Sequence, residues 1–329
     1  MGDDLKRIAY CLSASSTFVS EMASHLIYAN DGTLTEEVWD PESGETIKQE
    51  EVGDGVKDGA PAAYVWYSNG QGAEDYGDDF DEGIGGEERM VFSVTPENKI
   101  IAFKYDYEED DVWMDYTAGN VGTISVHPQS GLSAAINPDG LYLFFMNPSG
   151  GLQAAVRPGG EDWTLTNVFP AEAKIGTPLT TSVSDKGVSL FYFSVDDTLH
   201  YLYRGHESGS WKGLKTPQKD ESKLTSVRHV ADHRIDNIVV ETPVTRFRAS
   251  QDQETGEFEA YVLTNERLLR FSGTSEPVDV GSVEEGVLTK TNDAQNIRWI
   301  SRGCRPCFFR VRYVVIYHYF VPRFRGICW

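Results

Sequence analysis

The chain has 329 residues, of which 40% are apolar and 12% aromatic, with a formal net charge of −22. That length and apolar content support a large packed core and exclude a disordered chain. The excess of 51 Asp and Glu over 29 Lys and Arg excludes the clustered cations that phosphate-backbone contacts need.

The N-terminal "MGDDLKRIAY" lacks the apolar stretch of a signal peptide, and Lys6 stands where a myristoylation site wants Ser or Thr. Asn147-Pro148-Ser149 resembles a glycosylation acceptor but is blocked by its proline. No segment approaches the roughly 18 apolar residues of a membrane span. Cys11 is the only Cys in the first 300 residues, so no disulfide framework is expected. A cytoplasmic protein is the expectation, with non-classical export left open.

From residue 25 a repeat begins. "HLIYANDGTLTEEVWD" (25–40) reads as an apolar run, a polar turn and a second apolar run. "AAYVWYS" (62–68) is a further strand, and the acid- and Gly-rich 68–88 reads as a solvated loop. The hairpin pattern returns in "RMVFSVTPENKIIAFKYDYEEDDVW" (89–113), and after the strand "LSAAINP" (132–138) in "LYLFFMNPSGGLQAAVRPGGEDW" (141–163). It returns again after "LTTSVS" (179–184) in "LFYFSVDDTLHYLYRGHESGSWKG" (190–213), and more faintly in "FEAYVLTNERLLRFSG" (258–273). Turns such as Asn-Asp-Gly and Pro-Ser-Gly-Gly between apolar runs are hairpin signals. Trp113, Trp163 and Trp211 recur 50 and 48 residues apart, each closing a unit of about four strands. Such units stacked around an axis form a β-propeller. No stretch of twelve or more residues holds a helical apolar period.

Five units precede Gly281, and 283–303, carrying "NIRW" (296–299), reads as the start of a sixth. The expected fold is therefore all-β: a six-bladed propeller of four-stranded antiparallel blades over 1–303, the sixth incomplete or aberrant. Residues 304–329 form a basic and aromatic tail, foreign to the repeat and consistent with mistranslated sequence. Cys304 and Cys307 lack a second ligand pair for zinc. The stretch 75–88 misses the EF-hand spacing, and His229 with His233 reads as a surface loop rather than a metal site. No cofactor and no metal are expected. Catalytic motifs are absent too: there is no Gly-X-Ser-X-Gly elbow and no phosphate-binding glycine loop.

The blade rhythm over about residues 20 to 300 resembles the fungal fucose-specific lectins of the Aleuria type, which are six-bladed propellers. The resemblance implies sugar sites between neighbouring blades. There an Arg on the second strand and a Glu on the third come from one blade, and a Tyr or Trp and the terminal Trp come from the next. Arg and Glu would hydrogen-bond adjacent hydroxyls while aromatic rings stack on the sugar. Carried over by position, the first blade offers His25 for Arg, and Glu36. The second offers Arg89, Ala102 for Glu, Tyr105 and Trp113; the third Tyr142, Ala154 and Trp163; the fourth Ser189, Tyr201 and Trp211. The fifth has Glu259 for Arg, and Arg298 fits the sixth.

The fullest implied pocket is His25 and Glu36 facing Tyr105 and Trp113, although His25 lacks the guanidinium fork. Each of these residues has an ordinary structural role beside the functional one, above all packing between blades for the Trp residues. The resemblance implies a non-enzymatic protein whose partners are fucosylated glycans, with no nucleic acid and no membrane span, and with a homodimer as an open arrangement. A propeller scaffold that has lost sugar binding is the alternative. Glycoside hydrolysis ranks last, for want of paired carboxylates.

Overall fold

Apolar runs joined by turn residues close into antiparallel ladders, and here they do so in five successive groups. A computed structural model describes residues 4–291 apart from 20–22, 41–42, 69–86, 108–110, 118–119, 138–139, 159–161, 185–186, 206–230, 241–242, 252–257, 265–266, 273–276 and 285–286. Helix α1 (Asp4–Ser13) comes first. The first sheet is β1 (Ser16–Val19), β2 (Ser24–Asn30), β3 (Thr33–Asp40) and β4 (Glu45–Asp54). The second is β5 (Ala63–Ser68), β6 (Glu87–Val94), β7 (Ile100–Asp106) and β8 (Val112–Asp115). The third is β9 (Leu132–Asn137), β10 (Gly140–Met146), β11 (Leu152–Arg157) and β12 (Thr164–Leu165). The fourth is β13 (Thr180–Ser184), β14 (Gly187–Phe193), β15 (Thr198–Gly205) and β16 (Ala231–Val239). The fifth is β17 (Val244–Gln251), β18 (Phe258–Thr264), β19 (Arg267–Ser272), β20 (Val278–Glu284) and β21 (Val287–Lys290).

Every sheet is an antiparallel meander in chain order. The first strands touch in sequence, β1 to β5, β5 to β9, β9 to β13 and β13 to β17, so the sheets radiate from one axis as propeller blades. The hairpins are built alike. The β2–β3 turn places Asp31 (φ 51°) and Gly32 (φ 81°) in the left-handed region that a two-residue I′ turn requires. In the next three blades the left-handed residue is Asn98, Gly150 or Asp197. Its N–H donates to the carbonyl three residues back, on Thr95, Asn147 or Ser194. The same turn chemistry at the same place is the repeat expressed as backbone geometry.

Each sheet buries both faces, one against either neighbour. Ile27 and Leu34 meet Tyr64, Val91 and Phe103. Phe92 and Ala102 meet Leu143 and Ala155. Phe144 and Ala154 meet Leu190 and Leu202. Phe191 and Phe193 meet Ala260, Val262 and Phe271. Between the fifth and first sheets the ring is filled by helix α1. Its Leu5, Ile8, Ala9 and Leu12 pack on Tyr261, Leu263, Leu268 and Val280. Its Tyr10 and Cys11 lie against Leu26, Tyr28 and Trp39.

Among the described residues the propeller has five of the six expected blades, and helix α1 lies between the fifth and the first. Residues 292–303, which hold most of the expected sixth unit, lie outside the described residues. Residues 287–290, expected to open the sixth unit, extend the fifth sheet as β21. Arg298 and the tail 304–329 lie outside the described residues. The stretch around His233, expected as a loop, is strand β16, and it completes the fourth blade.

Gly187 sits where strands β14 and β15 converge, and a Cβ there would lie 2.0 Å from the Arg204 carbonyl oxygen. Backbone cannot step aside as a flexible side chain can. Gly187→Ala is therefore expected to cost about 1–3 kcal/mol, the range of overpacked sites, read as a lower denaturant midpoint.

Candidate functional site

Strand pairing fixes which residues of each blade look toward the next. Ile27 pairs with Glu36, Phe92 with Ala102, Phe144 with Ala154, Phe191 with Tyr201 and Tyr261 with Arg270. Two residues before the first member of each pair stand His25, Met90, Tyr142, Ser189 and Glu259, on the same face because strand side chains alternate. Four of the five assignments agree with the sequence reading. The second blade does not: its forward-facing residue is Met90, and Arg89, one residue earlier, points back to the first blade. A one-residue step in a strand reverses the face.

That reversal completes a polar seam between the first and second blades. Five hydrogen bonds converge on Glu36. Its Oε1 accepts from His25 Nδ1 at 2.9 Å and from the Tyr64 hydroxyl at 2.9 Å. Arg89 Nη2 donates to both carboxylate oxygens, and Trp113 Nε1 donates to Oε2 at 3.2 Å. Arg89 Nε donates in turn to the Tyr64 hydroxyl at 2.8 Å. The guanidinium lies 4.2 Å from the Tyr105 ring centre, 5.0 Å from Trp66 and 5.1 Å from Trp113. His25 meets Trp66 edge-on at 5.0 Å. Charge, hydrogen bonds and ring faces thus all engage one cation.

The seam is closed at its floor. Glu36 is 0% exposed, Arg89 6% and Tyr105 4%. Burial alone would raise the Glu36 pKa, but the hydrogen bond from His25 and the charge of Arg89 outweigh it and hold the carboxyl at about 2. Burial, then the charge of Glu36, pushes the Tyr64 hydroxyl well above its ordinary value, so it remains a donor. The rim is more open: Trp113 is half-buried and Tyr107 is 41% exposed. Tyr107 meets Tyr105 edge-on at 4.8 Å, and Lys48 reaches over the Tyr105 ring.

The structure therefore gathers His25, Glu36, Arg89, Tyr105 and Trp113, and adds Tyr64 and Trp66 from β5, which the sequence reading missed. Their alternation in "AYVWYS" was the available signal. Trp163 lies elsewhere, packed edge-on against Phe92 at 5.5 Å within the core between the second and third blades. Its backbone is pinned at both N–H and carbonyl by the Asn120 side chain. Trp211 lies outside the described residues.

In the fifth blade the charge order is inverted. Glu259 occupies the expected Arg position, and Arg270, unrecognised from sequence, occupies the Glu position. They pair at 2.8 Å, with the Tyr261 hydroxyl donating to Glu259 at 3.1 Å. Among the described residues no group of three His, Cys, Asp or Glu is placed to hold a metal, and no helix is long and apolar enough to cross a membrane. The zinc candidates Cys304 and Cys307 lie outside the described residues.

No protein-family profile and no curated protein matches the chain. Solved structures do. A mutant of AofleA from Arthrobotrys oligospora superposes with a TM-score of 0.57 at 13% identity, covering 84% of this chain and 74% of that one. The unmutated AofleA gives 0.54 at 14% identity, over the same shares of the two chains. The fucose-specific lectin from Aleuria aurantia, described as a six-bladed β-propeller, gives 0.54 at 15%, covering 82% of this chain and 80% of that one. At such identities the likeness carries the architecture alone, and on that ground the chain is a divergent β-propeller of the Aleuria lectin fold.

Proposed function

We propose that the protein is a non-catalytic, lectin-like glycan binder that works at the seam between its first and second blades, with fucosylated glycans as the first ligands to test. One observation carries the reading: a carboxylate, a guanidinium and an imidazole converge with Tyr64, Trp66, Tyr105 and Trp113 at one blade boundary. The C–H face of a sugar would rest on Trp113 and Tyr107 at the rim through dispersion contacts. Its hydroxyls would replace the bonds that His25 and Trp113 make to Glu36, because both carboxylate oxygens are already engaged. Exchange of bonds rather than gain of bonds implies modest affinity per site. Glu36 is the one carboxylate hydrogen-bonded within this network, whereas glycoside hydrolysis requires a working pair.

A second reading is favoured by the complete burial of Glu36. It treats the ion pair as an inter-blade staple in a scaffold for protein contacts. Retention on a glycan array and on fucose-agarose separates the two. The wild type is expected to be retained, and Trp113→Ala is expected to lose at least tenfold in retention. Unchanged retention in that variant removes this pocket, and no retention of the wild type on any glycan removes the lectin reading.

A further inference from the structure

Along the propeller axis, the first strands of all five blades and helix α1 line a half-open cavity of about 210 Å³. That is far above the about 10–15 Å³ that admits one water. Its wall is unusual for this chain: of 51 acidic residues, none of those described lines it. Its polar lining includes Ser16, Ser133 and Thr181 and, on β17, Arg246 and Arg248, among further Ser, Thr and aromatic residues. Ser133 and Thr181 are hydrogen-bonded to each other at 3.0 Å, and Thr181 donates to the Ala134 carbonyl, so this wall is held in place. Arg246 also lines a second cavity, of about 200 Å³, with Lys57, Asp58 and His127, and so stands where the two meet. Its Nη1 donates to the Thr245 carbonyl at 3.0 Å, and no described carboxylate pairs with it. Burial lowers its pKa, with no charged partner contributing.

We propose that this axial cavity is a binding site for a small oxyanion, held on Arg246. The ligand is either free inorganic phosphate or a phosphate or carboxylate group carried by a sugar. A half-buried guanidinium with no described carboxylate partner leaves its charge unmatched, and a forked oxyanion supplies the missing charge and both acceptors at once. The field of a chain with net charge −22 repels anions at long range, so binding depends on these short contacts. Tyr64 and Trp66 line both this cavity and the Glu36 seam, but Arg246 takes no part in the hydrogen bonds of that seam and Trp113 does not line the cavity.

The test is isothermal titration at constant ionic strength set with sodium chloride, since added salt alone stabilises an acidic chain by screening. Inorganic phosphate, glucose 6-phosphate and glucuronate are the three probes, and the tightest of them identifies the source of the oxyanion. Saturable binding to the wild type is expected. Arg246→Gln should lose tenfold or more, and Arg246→Lys, which keeps the charge but not the fork, should lose less. Arg267→Gln, at an exposed ion pair with Asp279 on the fifth blade, should bind as the wild type does. Absence of saturable heat with all three probes overturns the proposal, as does wild-type affinity in either Arg246 variant. Trp113→Ala should bind the anion unchanged, so failure here and failure of glycan binding are read separately.

Discussion

Glu36→Ala is expected to destabilise the fold by about 3–5 kcal/mol, the cost of leaving one member of a buried ion pair without its partner. The substitution strands Arg89, 6% exposed, and removes the acceptor for Tyr64, Trp113 and His25 together. A urea melt should show a lower midpoint with an unchanged slope. The depressed pKa of the carboxyl leads to a similar figure. The folded carboxyl sits at about 2 against an ordinary 4.5. Because the folded value is depressed, the stabilisation is complete above pH 4.5 and is lost as pH falls toward 2. At 1.36 kcal/mol per unit it is worth roughly 3 kcal/mol. Glu36→Ala should therefore lack the part of the acid-induced loss of stability between pH 4.5 and 2 that Glu36 supplies to the wild type. The double replacement Glu36→Leu with Arg89→Met should recover most of the lost stability, since an apolar pair leaves no charge unpaired. A midpoint shift worth less than 1 kcal/mol in Glu36→Ala would refute the network as drawn.

The second large effect concerns the helix that closes the ring. Ile8 is buried against the fifth sheet, and Ile8→Ala is expected to cost about 2–5 kcal/mol by cavity formation. Ile8→Asp should go further and prevent docking, because a carboxylate cannot be buried against Leu263 and Val280 without a partner. The apolar faces of the first and fifth sheets would then be open to water, and larger species should appear on size-exclusion chromatography. Lys6, exposed on the same helix, provides the control, and Lys6→Ala should stay within about 0.5 kcal/mol of the wild type. A monomeric, wild-type-stable Ile8→Asp protein would show that α1 is not what closes the ring.

Legibility from sequence followed the strength of the local signal. The central hairpins were readable because turn residues such as Asp31-Gly32 and Asn98 fix where each apolar run reverses. Helix α1 was not. α1 spans only ten residues, but Leu5, Ile8, Ala9 and Leu12 carry the i, i+3, i+4, i+7 spacing of an amphipathic helix. The outer strand β16 follows a long insertion and carries no Trp signal, so only pairing with β15 reveals its blade. Within the seam, residue types were legible and direction was not. Arg89 reads as a forward-facing partner of Ala102 until the register of β6 turns it toward Glu36. Arg270 was missed for the converse reason: a Glu was sought at its position, and the charges of the pair are exchanged.

The placement of α1 also sets an order of events. Residues 5–12 meet residues 261–288, so this interface joins segments separated by most of the chain, while every blade-to-blade seam before it joins consecutive units. Contacts of such sequence separation are entropically the most expensive to form. The helix precedes its docking surface on the fifth sheet by most of the described chain, so this contact can form only after all five blades have been made. Ring closure is thus expected as the final and rate-limiting stage of maturation.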